Sequence, residues 1–331
     1  MNALKETCTV SEDWEGKIFV GIHLRWDYAN KNVHLAMSGY VQGSLQQFNH
    51  KTPKRRRESP YIHATPIWGA TVQYAEIAKE LPKLDAKGKK FVQQVTGNLL
   101  FLGREIDSTL LMPLSAIASQ QAAPTEETMA HSKHIIDYIT SQEDAVLTYS
   151  TSNMVLAVHS DVGYHSKSKA RSRAGEHFFL STNTDIPPNN GAILNISQII
   201  KAVMSSAAES ELGGIFINAK EAVHLRNILT EMGHLKPPTQ MQTDNSTANG
   251  VINNKIQPKQ TKSMDMRFHW LRDRDTRLQF RFHWRPCTSN MADYWTKHES
   301  SKQHRNVRRE HLTPVETIRI FFNQKMEEIS C

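Results

Sequence analysis

Between residues 149 and 298 the hydrophobic periodicity changes repeatedly, and the order of those changes limits the fold more than any other feature of the chain. Three short apolar runs, Met154–His159, Glu176–Ser181 and Ala192–Ile196, are separated by polar turns bearing Gly or Pro, which predicts three consecutive strands. A long helical pattern follows, with Leu212, Ile215, Phe216, Ala219, Val223 and Leu229 on overlapping faces, until Gly233 and then Pro237-Pro238 stop it. Thr239–Thr243 predicts a fourth strand, followed by a short helix. A helix over Met264–Arg274, a fifth strand over Leu278–Trp284 and a last helix over Ser289–Lys297 complete the pattern. The order β-β-β-α-β-α-α-β-α describes an α/β layer on one five-stranded mixed sheet with flanking helices.

The preceding residues read differently. Lys17–Trp26 and Asn32–Met37 are strand-like around a turn, and Ser38–Phe48 predicts a helix with Ser38 as its N-cap. His50–Gln73 is basic and proline-bearing without a period, an extended connector. From about 84 to 145 the pattern is helical, with Val92, Val95, Leu99 and Leu102 on one face and Leu110, Leu114, Ile117 and Ala118 on another. Thr125, after a break at Pro124, is a cap for the next helix.

Four carboxylates occupy telling places in this order. Asp161 ends the first strand of the mixed sheet, Glu211 lies on the long helix, Asp244 ends the fourth strand, and Asp293 lies in the first turns of the last helix. Acids at the ends of neighbouring strands and on helices crossing them can converge on one point. Like charges at such range raise one another's pKa, but they suit hard divalent cations. Two magnesium ions roughly 4 Å apart can activate a water and stabilise the leaving oxygen of a phosphodiester. Singly, each acid is more often a turn, cap or solvated residue. Glu209 rivals Glu211, because the two flank the apolar stripe on opposite sides.

Charge points to the same chemistry. The net charge is +7, and Arg267–Arg309 alone holds eleven Lys or Arg against four acids, an excess equal to that of the whole chain. Phe268, Trp270, Phe280, Phe282 and Trp284 interleave with these cations, and a second cluster occupies Lys51–Arg57. Basic stripes with aromatics favour a polyanion such as nucleic acid over a merely solvated face. No apolar run approaches the ~18 residues of a membrane span, which argues against a membrane partner. The first residues lack a secretory pattern, and three scattered cysteines exclude a disulfide scaffold, so the expected location is intracellular.

Residues from about 149 to 298 resemble the ribonuclease H domain of copia-type retrotransposon polyproteins. The resemblance is carried by His159-Ser-Asp161-Val-Gly-Tyr164, Arg171-Ser-Arg-Ala-Gly175, Ser205-Ser-Ala-Ala-Glu-Ser-Glu211, Thr243-Asp244-Asn245 and Ala292-Asp293-Tyr-Trp-Thr-Lys297. Upstream, Phe19-Val-Gly-Ile-His-Leu and Gly39-Tyr-Val-Gln look like the end of a reverse-transcriptase palm and its thumb. Val95-Thr-Gly-Asn-Leu-Leu-Phe101 looks like the connecting helix before the nuclease. The resemblance implies a palm-end and thumb-like segment over 1–50, a linker and helical connection over 51–148, a ribonuclease H-like domain over 149–298 and a basic tail over 299–331.

It further implies Asp161, Glu211, Asp244 and Asp293 as catalytic metal ligands, with Glu211 favoured over Glu209 by the bulky Leu212 that follows. Two Mg²⁺ ions, replaceable by Mn²⁺, would serve cleavage of the RNA strand of an RNA–DNA hybrid. Asn245, Arg285, Lys297, Arg305, Arg308 and Arg309 would contact the nucleic acid, and the rest of a polyprotein is an expected partner. Two departures stand out: Gly213-Gly214 directly follows the catalytic Glu, and neither His283 nor His298 occupies the loop position where cellular relatives carry a histidine. The chain contains no Asp-Asp pair, so the polymerase carboxylates of a palm are not expected. The competing reading is a non-catalytic nucleic-acid-binding remnant of a decayed element. An integrase is disfavoured, because no His-His-Cys-Cys pattern is present and the second acid comes from the first long helix.

Overall fold

A computed structural model describes residues 6–9, 12–62, 81–142, 145–167, 171–234, 236–256 and 265–314. The N-terminal part builds an antiparallel sheet from β1 (Ile18–Phe19), β2 (Ile22–Asp27), β3 (Asn32–Ala36) and β4 (Val146–Ser150), in that spatial order. Between β3 and β4 run helices α1 (Tyr40–Phe48), α2 (Ala86–Glu105), α3 (Leu111–Ala118) and α4 (Glu126–Ser141). Val92, Val95, Leu99, Leu114, Ile135 and Ile136 are buried where they meet, as the helical spacing requires. Thr125 opens α4 with a reciprocal capping box to Thr128. Ser38 does not cap α1, which starts at Tyr40 behind Gly39 at φ 80°. The predicted connector over His50–Gln73 is described only as far as residue 62.

The second part holds β5 (Val155–Lys167), β6 (Arg171–Ser181), β7 (Ala192–Val203), α5 (Ala207–Glu231), β8 (Thr239–Thr243), α6 (Ser246–Ile252), α7 (Asp265–Thr276) and β9 (Phe280–Trp284). Its five-stranded sheet has the order β7-β6-β5-β8-β9, with β5 to β7 antiparallel and β8 and β9 parallel to β5. Leu156, Val158 and Phe178 bury one sheet face against Leu212, Ile215 and Ala219 of α5 and against Leu271 of α7. The other face carries His159, Asp161, Gly175 and His177, and it receives a 3₁₀ turn over Met291–Trp295.

Three expectations need correction. The first three strands of this sheet run well past their apolar cores, so Asp161 sits inside β5 opposite Gly175 instead of at its end. Polar residues continue the strand because the β6 backbone pairs with it regardless of side chain. The last helix over Ser289–Lys297 is instead two 3₁₀ turns, Cys287–Ser289 and Met291–Trp295, since Ala292, Tyr294 and Trp295 are all buried and a single apolar stripe could not serve them. The boundary at 148/149 falls within β4, whose Val146 and Leu147 are buried on the N-terminal side, and the residues after 299 begin with a docked helix, α8 (Ser301–His311).

The paired glycines after Glu211 have a packing reason. A Cβ on Gly214 would lie 2.3 Å from Cγ2 of Val162, so α5 can approach β5 this closely only without one. Gly214→Ala is therefore expected to destabilise the protein by about 1–3 kcal/mol despite its better helix propensity. Denaturant unfolding would measure this, and a stabilised variant would show that α5 does not sit on β5 as described.

Candidate metal centre

Asp161, Glu211 and Asp244 each offer a carboxylate oxygen to a group whose atoms lie within 4.8 Å of one another. Strand β5 supplies the first, the first turns of α5 the second, and the residue after β8 the third. Thr296 Oγ1 donates to Asp161 Oδ2 at 2.7 Å. Glu211 Oε2 is buried and accepts no hydrogen bond among the described residues. Glu209 is elsewhere: its carboxylate accepts from the Ser205 backbone N at 2.7 Å, at the start of α5. The alternative left open by helical periodicity is thereby resolved in the geometry, with Glu211 in the cluster and Glu209 at the helix terminus.

Asp293 stands at the rim of this group. Its Oδ1 accepts from Lys297 Nζ at 2.8 Å, and the Met291–Trp295 turn that carries it is brought close by Gly175. A Cβ there would lie 2.5 Å from the Ala292 carbonyl oxygen. Burial, then Asp293 and Asp244, pushes the Asp161 carboxyl up to about 7. Burial, then Asp161 and Asp244, raises Glu211 well above the ordinary carboxylate range, and burial with Asp293 raises Asp244. Three acids that resist ionising together, one with an orphaned oxygen, form an oxygen-only donor set suited to a hard divalent cation.

The predicted nucleic-acid residues divide. Lys297 lies at the centre through its pair with Asp293. The Arg285 backbone N donates to Thr243 O at 3.0 Å, which places that residue beside the end of β8. Asn245 caps α6, its Oδ1 accepting from Ala248 N at 2.9 Å. Arg309 is exposed on α8, whereas Arg305 is paired with Glu58. Arg308 is a correction: it points inward to Asp107 at 3.1 Å, because α8 docks on the helical region instead of trailing as a free tail.

Much of the basic stripe is likewise engaged within the fold. Arg272 donates to Val251 O and lies 4.9 Å from the Phe268 ring centroid, Arg274 lies 4.8 Å from that of Trp270, and Arg277 pairs with Asp273. His283 lies in β9, and His298 stacks on Tyr61 at 4.3 Å, so neither enters the acidic group.

Sequence reasoning missed two features. One is Thr296, which its place between Asp293 and Lys297 could have flagged. The other is Glu176, buried in β6 and pushed up to about 8 by burial and then by Glu221. Nothing in the local sequence marks Glu176 as buried, since it lies in a run that reads as an ordinary strand.

This strand order, with a long helix and an acidic cluster at the central strand, defines a ribonuclease H-like fold. No protein-family model matches the chain. A curated relative, the retrovirus-related Pol polyprotein from transposon TNT 1-94 of Nicotiana tabacum, is 20% identical over 259 residues, covering 77% of this chain. The chain is thus similar to a copia-type retrotransposon Pol polyprotein, and it spans about a fifth of that relative's length (18%).

Among solved structures, it is similar to the N-terminal RNase H domain of a Mycobacterium tuberculosis protein fused to maltose-binding protein. The identity is 13%, with 47% of this chain and 97% of that one covered, at a TM-score of 0.31. Another is LC11-RNase H1 in complex with an RNA/DNA hybrid, at 12% identity, 43% and 93% coverage and a TM-score of 0.32. The strand order and pairing, and not these superpositions, define the fold.

Proposed function

We propose that the chain is a hydrolase that cleaves the RNA strand of an RNA–DNA hybrid and does not polymerise DNA. The observation that carries this reading is the convergence of Asp161, Glu211 and Asp244 at the central strand, with Asp293 at the rim. When bound, two magnesium ions would supply an activated water and charge for the leaving 3′-oxygen. The residues do the rest. Asp161 and Asp244 anchor the site on adjacent strands, Glu211 offers a buried oxygen with no hydrogen-bond partner among the described residues, and Thr296 fixes the rotamer of Asp161. Lys297 orients the Asp293 carboxylate through its hydrogen bond at the mouth, where a phosphate would approach. Contacts to 2′-hydroxyls across the minor groove would select RNA.

The test uses the full chain with an end-labelled RNA strand, single or paired with DNA, in millimolar magnesium or chelator. Cleavage is expected only of the hybrid and only with the metal, leaving 3′-hydroxyl and 5′-phosphate ends. Primer extension on the same hybrid is expected to be undetectable. Magnesium-independent hybrid binding without cleavage would replace this reading with that of a binding remnant.

A further inference from the structure

The chain from Asp293 to Glu299 is gripped from two sides. Toward the acidic cluster it presents Asp293, Thr296 and Lys297. Its remaining residues turn to the N-terminal half. Tyr294 Oη donates to Thr109 O at 3.2 Å, and Trp295 Nε1 donates to Ser108 O at 2.9 Å. His298 stacks on Tyr61, whose Oη accepts from Glu299 N at 2.7 Å. Behind Tyr294, His304 of α8 lies 2.6 Å from the Tyr294 hydroxyl through Nδ1 and 2.7 Å from the Tyr138 hydroxyl through Nε2.

One tautomer completes the network. Tyr138 donates to Nε2 of His304, Nδ1–H donates to Tyr294, and Tyr294 donates to the Thr109 carbonyl. Tyr138, Tyr294, Trp295 and His304 are all buried, so each of these polar groups needs its partner. The turn itself is a single 3₁₀ segment, which has few internal hydrogen bonds to fix where Asp293 points. The nuclease sheet holds it through Asn290 Nδ2 to Ser160 O at 2.9 Å and Ser197 Oγ to Trp295 O at 2.7 Å.

We propose that Tyr294, Trp295 and His304 are positioning residues for Asp293, so that the 3₁₀ turn over Ser108–Leu110, α4 and α8 complete the metal centre from outside the five-stranded sheet. This rests on the nuclease reading above for its functional consequence, but not for its structural one. The Asp293 carboxylate is set by contacts two and three residues deep in another unit, and loosening them would spoil metal binding without touching a ligand.

Tyr294→Phe in the full chain tests this, beside Val92→Ala, which removes buried apolar volume from the α2 core far from the turn. In chelator, hydrogen exchange of the amides from 293 to 297 is expected to quicken about tenfold in Tyr294→Phe and to stay as in the wild type in Val92→Ala. Magnesium affinity by calorimetry is expected to weaken about tenfold, with kcat for hybrid cleavage falling similarly and KM for the hybrid unchanged. Wild-type exchange at 293–297 would overturn the proposal, and so would a lowered melting temperature with unaltered magnesium affinity. If the wild type binds no magnesium and cleaves nothing, the nuclease reading falls, while the exchange arm still decides the positioning.

Discussion

Asp244→Asn is expected to lower hybrid cleavage more than about a thousandfold, some 4 kcal/mol of barrier, and yet to melt above the wild type in chelator. Both effects have one cause. The metal-free folded chain must hold Asp161, Glu211 and Asp244 within one cluster, and the pKa of each is raised there. A carboxyl whose folded pKa exceeds its unfolded value binds its proton more tightly when folded. Its effect on stability is therefore increasingly unfavourable as pH climbs from the unfolded value of about 4 through the folded one.

The buried histidines His159, His177, His304 and His311 have lowered pKa values and act oppositely, losing stability as pH falls below about 6.5. Between about pH 7.5 and 8.5 these histidines are almost wholly neutral in both states, so the acids decide the slope. The wild type in chelator should lose stability across that window, and Asp244→Asn should lose less, with the contribution of Glu176 remaining in both. On the proposed function magnesium would bind the folded cluster and not the dispersed acids, so it should raise the wild-type melting temperature and close the gap. Thermal melts at two pH values, with and without magnesium, read all of this. A wild type blind to magnesium and no less stable than the variant would dissolve the metal centre.

The second large effect concerns the docking of α8. Asp107→Ala should destabilise the fold by about 3–5 kcal/mol, because it strands the Arg308 guanidinium in a buried site. Arg308 Nη2 meets Asp107 Oδ2 at 3.1 Å, with side chains 19% and 6% exposed, and its pKa is held above the ordinary value: burial opposes the charge but Asp107 outweighs it. Asp107 Oδ1 also accepts from Thr109 N at 3.2 Å, which starts the 3₁₀ turn over Ser108–Leu110. Replacing both members with Leu and Met should recover a large part of the loss, since no unpaired charge would remain. Urea unfolding of the two singles and the double measures the coupling, and strictly additive singles would show that the pair is not interacting.

The element order of the mixed sheet was legible in the sequence because alternation and helical spacing are local. Met154–His159 announced its strand by apolar content, and Gly233 at φ 86° ends α5 where its position predicts. Strand length was not legible for β5 to β7, because their outer halves are polar and owe their conformation to pairing with neighbours far along the chain. The same holds for β4, whose partner β3 lies more than a hundred residues away. A short run such as Val146–Ser150 carries no signal of which sheet it will join.

For the candidate site, residue type and order pointed to Asp161, Asp244, Asp293 and one of Glu209 and Glu211, since chemistry restricts which side chains can share a cation, and the family resemblance favoured Glu211. Helical angles could not separate Glu209 from Glu211, because both flank the apolar stripe. In the structure Glu211 is the one that meets Asp161, on a helix held close to β5 at Gly214 and Val162. The basic stripe was only partly legible for a related reason. Counting cations gives net charge, but whether Arg308 meets solvent or Asp107 depends on where α8 docks, and that is fixed by packing between distant segments.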